Sequence, residues 1–457
     1  MLNSIFKPKR GRIRSRSGLC GRVVARAFCA ISGVALLSAA TAYPAAAASG
    51  SGGSVVHLTL WENYGTEANA TATVNLVKAF EKLHPNIQIS VVSQPASNYF
   101  SLLQAAAISH SGPDLAVMWT GLYTLQYKSY LENLKTWIPA GDLARLEGLR
   151  WTADGFNTAN GPYVIPLEDQ FYIGFYNKAL FAKAHVTSVP RTWSQLFVDC
   201  AKFKAAHITC LYYGAGSQNL GAEFYPWYDL SYMMIGALSL PQWEELYNGR
   251  IPWTSKIVTS QLERWHELYA DGYTNKDVIT SVGSLIAFEH GKAAMLIKGN
   301  WDAATLYQAM GSKLGVFVPP FSNTPVHGVV QYPGDGFSMT TYSQHKKQAA
   351  EFLAFLTTPA AGRIVAASGL IPDVRGVPAT NPIDNEMLAF SSVQHMVKYP
   401  MLDNVTAVGV VNAGSKIMPE LLAGEVSVEA GARQMEQAWQ ALPVGERGPS
   451  WASYNAS

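Results

Sequence analysis

The chain has 457 residues, of which 48 % are hydrophobic and 14 % charged. At roughly 150 residues per domain that length predicts two or three domains, and the composition excludes a charge-rich disordered chain. The formal charge of +2 hides an asymmetry: residues 1–48 hold eight Lys or Arg and no acid, which leaves 26 of the 34 basic residues against all 32 acidic ones, a net −6. A nucleic-acid-binding reading fails, because the basic excess lies in one terminal segment.

That segment reads as an export signal. Basic residues end at Arg26, an apolar run covers 27–42, and alanines follow Pro44. Positive, apolar and small-residue zones in this order predict a secretory signal over 1–48, cut between Ala45 and Ala48. The apolar run is shorter than the ~20 residues of a membrane span. No Arg-Arg pair marks a twin-arginine route. Cys20 and Cys29 stand before or at the start of the apolar run, so no lipoprotein signal is read. Residues 49–53, within SGSGGS, read as a flexible tail. The expected location is the periplasm. Two cysteines remain, Cys200 and Cys210. An oxidising compartment permits a bridge between them, and two buried free thiols are the alternative.

Beyond the signal, 55–61 (VVHLTLW) reads as a strand. A helix follows over 68–84, with Val74, Val77, Phe80 and Leu83 on its apolar face and Pro85 as its stop. The next elements are a strand at 87–93, a helix at 99–109 and an apolar strand at 115–119. This alternation predicts crossover units in a mainly parallel sheet, with ligand beyond the carboxyl ends of the strands. Strands are predicted again at 163–166 and 171–176, and helices at 177–184 and 193–204, the latter packing Leu196, Phe197, Ala201 and Phe203 inward. Helices are expected at 227–235, 242–247 and 260–269, and strands at 292–297, 314–318 and 337–340. Amphipathic helices at 344–356 and 426–439 complete the pattern.

Several segments resemble a known family in order and spacing. They are LTLWENY (58–64), AFEKLHPNIQISV (79–91), the Gly112-Pro113-Asp114 turn, PYVIPLEDQFYIGFYNKALF (162–181), PRTWSQL (190–196), AFEHGKAAMLIKGNW (287–301), GDGFSMT (334–340), QAAEFLAFLTTPAAG (348–362) and SGLIPDVRGV (368–377). Tyr176-Asn177-Lys178 is the most specific piece. The chain resembles the extracellular solute-binding proteins of ATP-driven importers, in the carbohydrate-binding group typified by maltose-binding protein. The resemblance implies an α/β, two-lobed periplasmic-binding-protein fold of type II, with the ligand cleft between lobes joined by a multi-crossing hinge. On that pattern 54–167 and 335–372 form the N-terminal lobe, and 168–334 and 373–457 the C-terminal lobe.

The resemblance also suggests ligand-binding residues, each with a plainer reading. Trp301 follows an apolar strand, where the family's stacking Trp stands; strand-end packing is the alternative. Gln170 lies four residues after Pro166, where relatives carry a ligand-contacting acid, and Glu168 and Asp169 are equally suited. Asn63 and Tyr64 follow the first strand, and Trp119 ends the third. Asp114 is either a ligand contact or a turn residue. Glu223, Tyr225 and Trp227 lie where relatives place second-lobe contacts. Asp335 stands between two glycines, and Arg375 is either a contact or half of a surface ion pair.

No G-x-S-x-G, H-E-x-x-H or G-x-x-x-x-G-K-[ST] motif occurs. No catalytic residue, cofactor or metal site is therefore read. The expectation is a monomeric, non-enzymatic binding component that captures a sugar or oligosaccharide by lobe closure and passes it to the importer's permease. A non-sugar solute such as a glycerol phosphodiester or polyamine is the alternative, and an exported glycan-cleaving enzyme a more distant one.

Overall fold

A computed structural model describes residues 54–65, 67–216 and 224–444. The signal-like segment, the tail at 49–53 and Glu223 lie outside the described residues. Two sheets organise the chain. The first contains β1 (Val56–Glu62), β2 (Ile87–Ser93), β3 (Leu115–Met118), β4 (Ile165–Pro166) and β10 (Gly336–Met339), in the order β2-β1-β3-β10-β4. The second contains β5 (Asp169–Asn177), β6 (Thr209–Leu211), β7 (Ala293–Gly299), β8 (Leu314–Phe317), β9 (Gly328–Pro333) and β11 (Val397–Tyr399). Its order is β11-β9-β5-β7-β6, with β8 also on β5.

β1 pairs parallel with β2 and β3, as strand–helix–strand alternation requires, while β10 returns antiparallel. The second sheet differs: β5 runs antiparallel to β7, β8 and β9. Alternate residues of β5 serve different cores. Phe171, Ile173 and Phe175 pack with Phe288 and Leu306, and Tyr172 joins the Trp-rich core on the other face. Each lobe thus has its own apolar centre, the first built on Leu60, Phe80, Val117 and Phe352.

Helix starts follow local capping chemistry. Asn177, the middle of Tyr176-Asn177-Lys178, accepts from the amides of Ala179 and Leu180 and so opens the helix Lys178–Lys183. Thr358 accepts from Ala361 N–H and precedes Pro359 at the first helical position of Pro359–Ala367.

Three expectations need correction. Helix Ala68–Leu83 buries Asn69, Ala72, Thr73, Leu76 and Phe80, with Val77 at the edge of that stripe. Val74 points outward, and Leu83, at the helix end, is exposed. The stripe uses small residues where the helix lies on the sheet, so the largest apolar side chains were a poor guide. In Trp193–Ala205, Ala201 is exposed, and Cys200 faces the core. The helix Val408–Leu422 was not predicted, because Gly409, Gly414 and Pro419 argue against one. Tertiary packing overrides that propensity. The ring of Trp227 lies where a Cβ on residue 414 would come within 2.1 Å, so glycine there admits the indole.

Cys200 and Cys210 are bridged, with Cα atoms 5.0 Å apart. The bridge ties the end of Trp193–Ala205 to β6 inside the second lobe's core.

Three stretches of chain pass between the sheets and bond to one another. Leu167 N–H donates to Asp335 O at 2.9 Å, and Gly334 N–H to Glu168 O at 2.8 Å. Asp169 N–H donates to Ile371 O at 2.8 Å. Cavities open on both sides of these crossings.

Candidate functional site

The front cavity, of about 700 Å³, lies beyond the carboxyl ends of β1, β2 and β3 and beside the end of β7. Such ends collect side chains from successive loops on a fixed frame. Asn63 and Tyr64 come from the end of β1, Gln94 from β2 and Trp119 from β3. Gln170, Tyr332 and Asp335 enter from the crossings. Tyr225, Tyr228, Trp301 and Asp302 form the opposing wall, and Asp403 and Asn404 come from a C-terminal segment.

Two indoles are held in place by their surroundings. Trp119 meets Phe100 and Tyr123 edge-on at 4.9 and 4.8 Å. Trp301 folds back over β7, where a Cβ on Gly299 would lie 2.1 Å from its ring, and its Nε1–H points to Tyr225 Oη at 3.4 Å. Gln170 is fixed at both ends of its amide. Its Nε2 donates to Glu168 at 2.9 Å, and its Oε1 accepts from Tyr332 at 2.8 Å.

The ionisable side chains of the cavity are mostly acids. Lys298 pairs with Asp302 at 2.6 Å and donates to Tyr225 Oη. Burial pulls its ammonium down, but Asp302 and Tyr225 outweigh that and hold its pKa above the ordinary lysine range. Burial, then Asp302, pushes Glu67 up to about 8. Burial raises Asp403 to about 7. Asp335 is pushed well above the usual range by burial and then by Glu168 and Glu67. Several buried polar atoms of the lining have no partner within the protein: Asn63 Oδ1, Tyr64 Oη, Asp403 Oδ1 and Asn404 Oδ1. Polar groups kept buried without partners are costly, which suits them to a polar ligand.

The structure brings Asn63, Tyr64, Trp119, Gln170, Tyr225, Trp301 and Asp335 together around this cavity. Five other sequence candidates lie elsewhere. Trp227 is fully buried against Gly414 and Trp253. Asp114 stands at the opposite end of β3, accepting from Thr59 N–H at 3.0 Å and Ser343 Oγ–H at 2.6 Å, which is the turn role. Glu168 is wholly buried behind the cavity; its Oε1 accepts from Asn69 and Gln170. Burial raises it to about 7. Asp169 and Arg375 line a rear cavity of about 900 Å³ across the crossings. There Arg375 Nε donates to Leu146 O at 3.1 Å, with an exposed ion pair to Glu147 at 3.5 Å.

Sequence reasoning missed Glu67, Gln94, Tyr228, Asp302, Tyr332, Asp403 and Asn404. Gln94 had a signal, since it follows β2 as Asn63 follows β1. Asp403 and Asn404 had none, because their short helix Leu402–Val405 follows no periodic pattern. No group of three or more His, Cys, Asp or Glu able to hold a metal occurs among the described residues.

The family model for bacterial extracellular solute-binding proteins matches residues 64–363. The chain belongs to that family. Several solved structures share its two-lobed fold. A chitin oligosaccharide binding protein aligns with a TM-score of 0.73 at 20% identity, covering 84% of this chain and 98% of that one. Maltose-bound MalE3 of T. maritima aligns at 0.68 and 15%, with the same coverage of 84% and 98%. The GacH receptor of Streptomyces glaucescens GLA.O, solved unliganded and with acarbose, aligns at 0.67 and 20%, again covering 84% and 98%. No curated protein matches the chain. This solute-binding protein and these neighbours share an architecture built for binding. No helix among its described residues is long and apolar enough to cross a membrane.

Proposed function

We propose that this solute-binding protein captures a carbohydrate between its lobes outside the cytoplasm and hands it to the permease of an ATP-driven importer. The observation that carries the reading is the front cavity. It sets Trp119 and Trp301 among buried planar polar side chains, Asn63, Gln170 and Asn404. Sugar rings present C–H faces to aromatics and hydroxyls to amides and carboxylates. Of the charged lining residues described, Lys298 alone is cationic, and it is engaged by Asp302. That disfavours a phosphodiester, which calls for Arg or Lys. The neighbours named for chitin oligosaccharide, maltose and acarbose support the carbohydrate class.

Binding draws the lobes together by favouring the closed population, and the closed form is what the permease meets. Closure bends the three crossings at 167–168, 334–335 and 371–373 as the hinge. The test is a thermal-shift screen of glycans, glycerol phosphodiesters and polyamines. A ligand at a hundred times its Kd adds about 2.7 kcal/mol of stability. Stabilisation by a glycan with no product formed is expected; stabilisation by a phosphodiester alone overturns the reading.

A further inference from the structure

Acids outnumber cations in the front cavity. Four carboxylates line it, Glu67, Asp302, Asp335 and Asp403, against the single ammonium of Lys298. Lys298 and Asp302 are mutually paired, and each side chain is only 9–10 % exposed. Lys298 also acts on Glu67 through space, but Asp335 and Asp403 are left with no cation among the described lining residues. Asp403 is 2 % exposed, and its Oδ1 has no hydrogen-bond donor. Beside it, Asn404 donates its amide N–H to Thr120 O at 3.0 Å, which fixes its Oδ1 as an acceptor that also lacks a donor. Aromatic faces of Trp119, Tyr228 and Trp301 line the same space.

These features ask for one chemistry. Acids held in a cavity without counter-ions keep their protons rather than ionise, and a neutral hydroxyl cannot supply the charge that would let them release those protons. An ammonium can: it donates several charge-assisted hydrogen bonds and is attracted to aromatic faces. A carboxylated or sulfated glycan would add to the repulsion.

We infer that the ligand of the front cavity is a saccharide carrying a protonated amine, an amino sugar or aminocyclitol, with its ammonium among Glu67, Asp335 and Asp403. The inference rests on the carbohydrate reading above and narrows it.

Matched sugars that differ in one substituent test it. Glucosamine, N-acetylglucosamine and glucose, the corresponding galactose set, and short oligomers of each are titrated into the exported protein by calorimetry. Spermidine is run alongside. The amine member should bind roughly tenfold or more tighter than its acetylated and hydroxyl counterparts. Asp403→Asn and Glu67→Gln should each shrink that preference, while the affinity for the hydroxyl sugar changes less. Melting curves confirm that each variant is folded, and two variants keep the test open if one is not. A neutral glycan that binds as tightly as its amine partner overturns the inference and leaves the carbohydrate reading standing. Binding of spermidine with no saccharide overturns both.

Discussion

Asp169 and Gln170 are neighbours in the chain, yet they line cavities on opposite sides of the crossings. Successive strand residues point to opposite faces, and here β5 begins. The two cavities are similar in size but differ in chemistry. The front combines indoles with acids and one engaged lysine. The rear sets Asp169 and Asp373 beneath Lys135, Arg150, Arg375 and Lys398. Burial raises Asp169 only to about 6, because Lys398 and a hydrogen bond from Gln331 oppose it. Glu67 at the front is near 8. Lys398 moderates Asp169, but Asp373 in the same cavity is pushed well above the usual carboxylate range by burial and then by Asp169 and Glu147, so the moderation is local to one acid.

The most severe test of this contrast leaves both cavities alone. Replacing Cys200 and Cys210 by Ser opens a loop closed across ten residues. The loss should be about 3 kcal/mol in chemical denaturation. Glycan affinity should stay within about twofold, because the bridge lies in the second lobe's core and not on either cavity wall.

Trp301→Ala should weaken glycan binding ten- to a hundredfold by calorimetry, about 1.4–2.7 kcal/mol. Gly299→Ala should weaken it too, since the new Cβ takes the indole's place. Arg375→Ala, at the rear, should leave Kd unchanged; an equal loss there would dissolve the distinction between the two cavities.

The adjacent pair sharpens the comparison further. Gln170→Ala removes a side chain that lines the front and should cost about 1 kcal/mol of binding. Asp169→Ala should instead leave Kd unchanged and alter the melting temperature.

The last effect is on pH, where the half-buried setting of Glu67 screens what its titration contributes. Glu67 ordinarily ionises near 4.5, but in the folded chain it does so near 8. Between those values the folded chain keeps a proton that the unfolded chain has released, so stability falls as pH rises. The melting temperature of the ligand-free protein should decline from pH 5 to 8, and less steeply in Glu67→Gln. A rise across that range would contradict the buried-acid account.

Much of the first lobe was legible. The strand at 87–93 and the helix at 99–109 match the predicted bounds, because period and breakers are local signals. Asn63, Tyr64 and Trp119 were legible as strand-end residues. Trp227 was not, since an aromatic near a binding segment looks the same whether it faces solute or core. Gly414, nearly two hundred residues later, decides it. Leu402–Val405 was invisible as well, and with it Asp403 and Asn404.

Alternation of strands and helices, capping residues such as Asn177 and Thr358, and two cysteines ten apart were written in the sequence alone, because each acts over a few residues. The facing of Glu168, Asp169 and Gln170, the pairing of Lys298 with Asp302, and the burial of Asp403 belong to the tertiary structure. They depend on which distant groups meet across the crossings, and burial and charge act through space rather than along the chain.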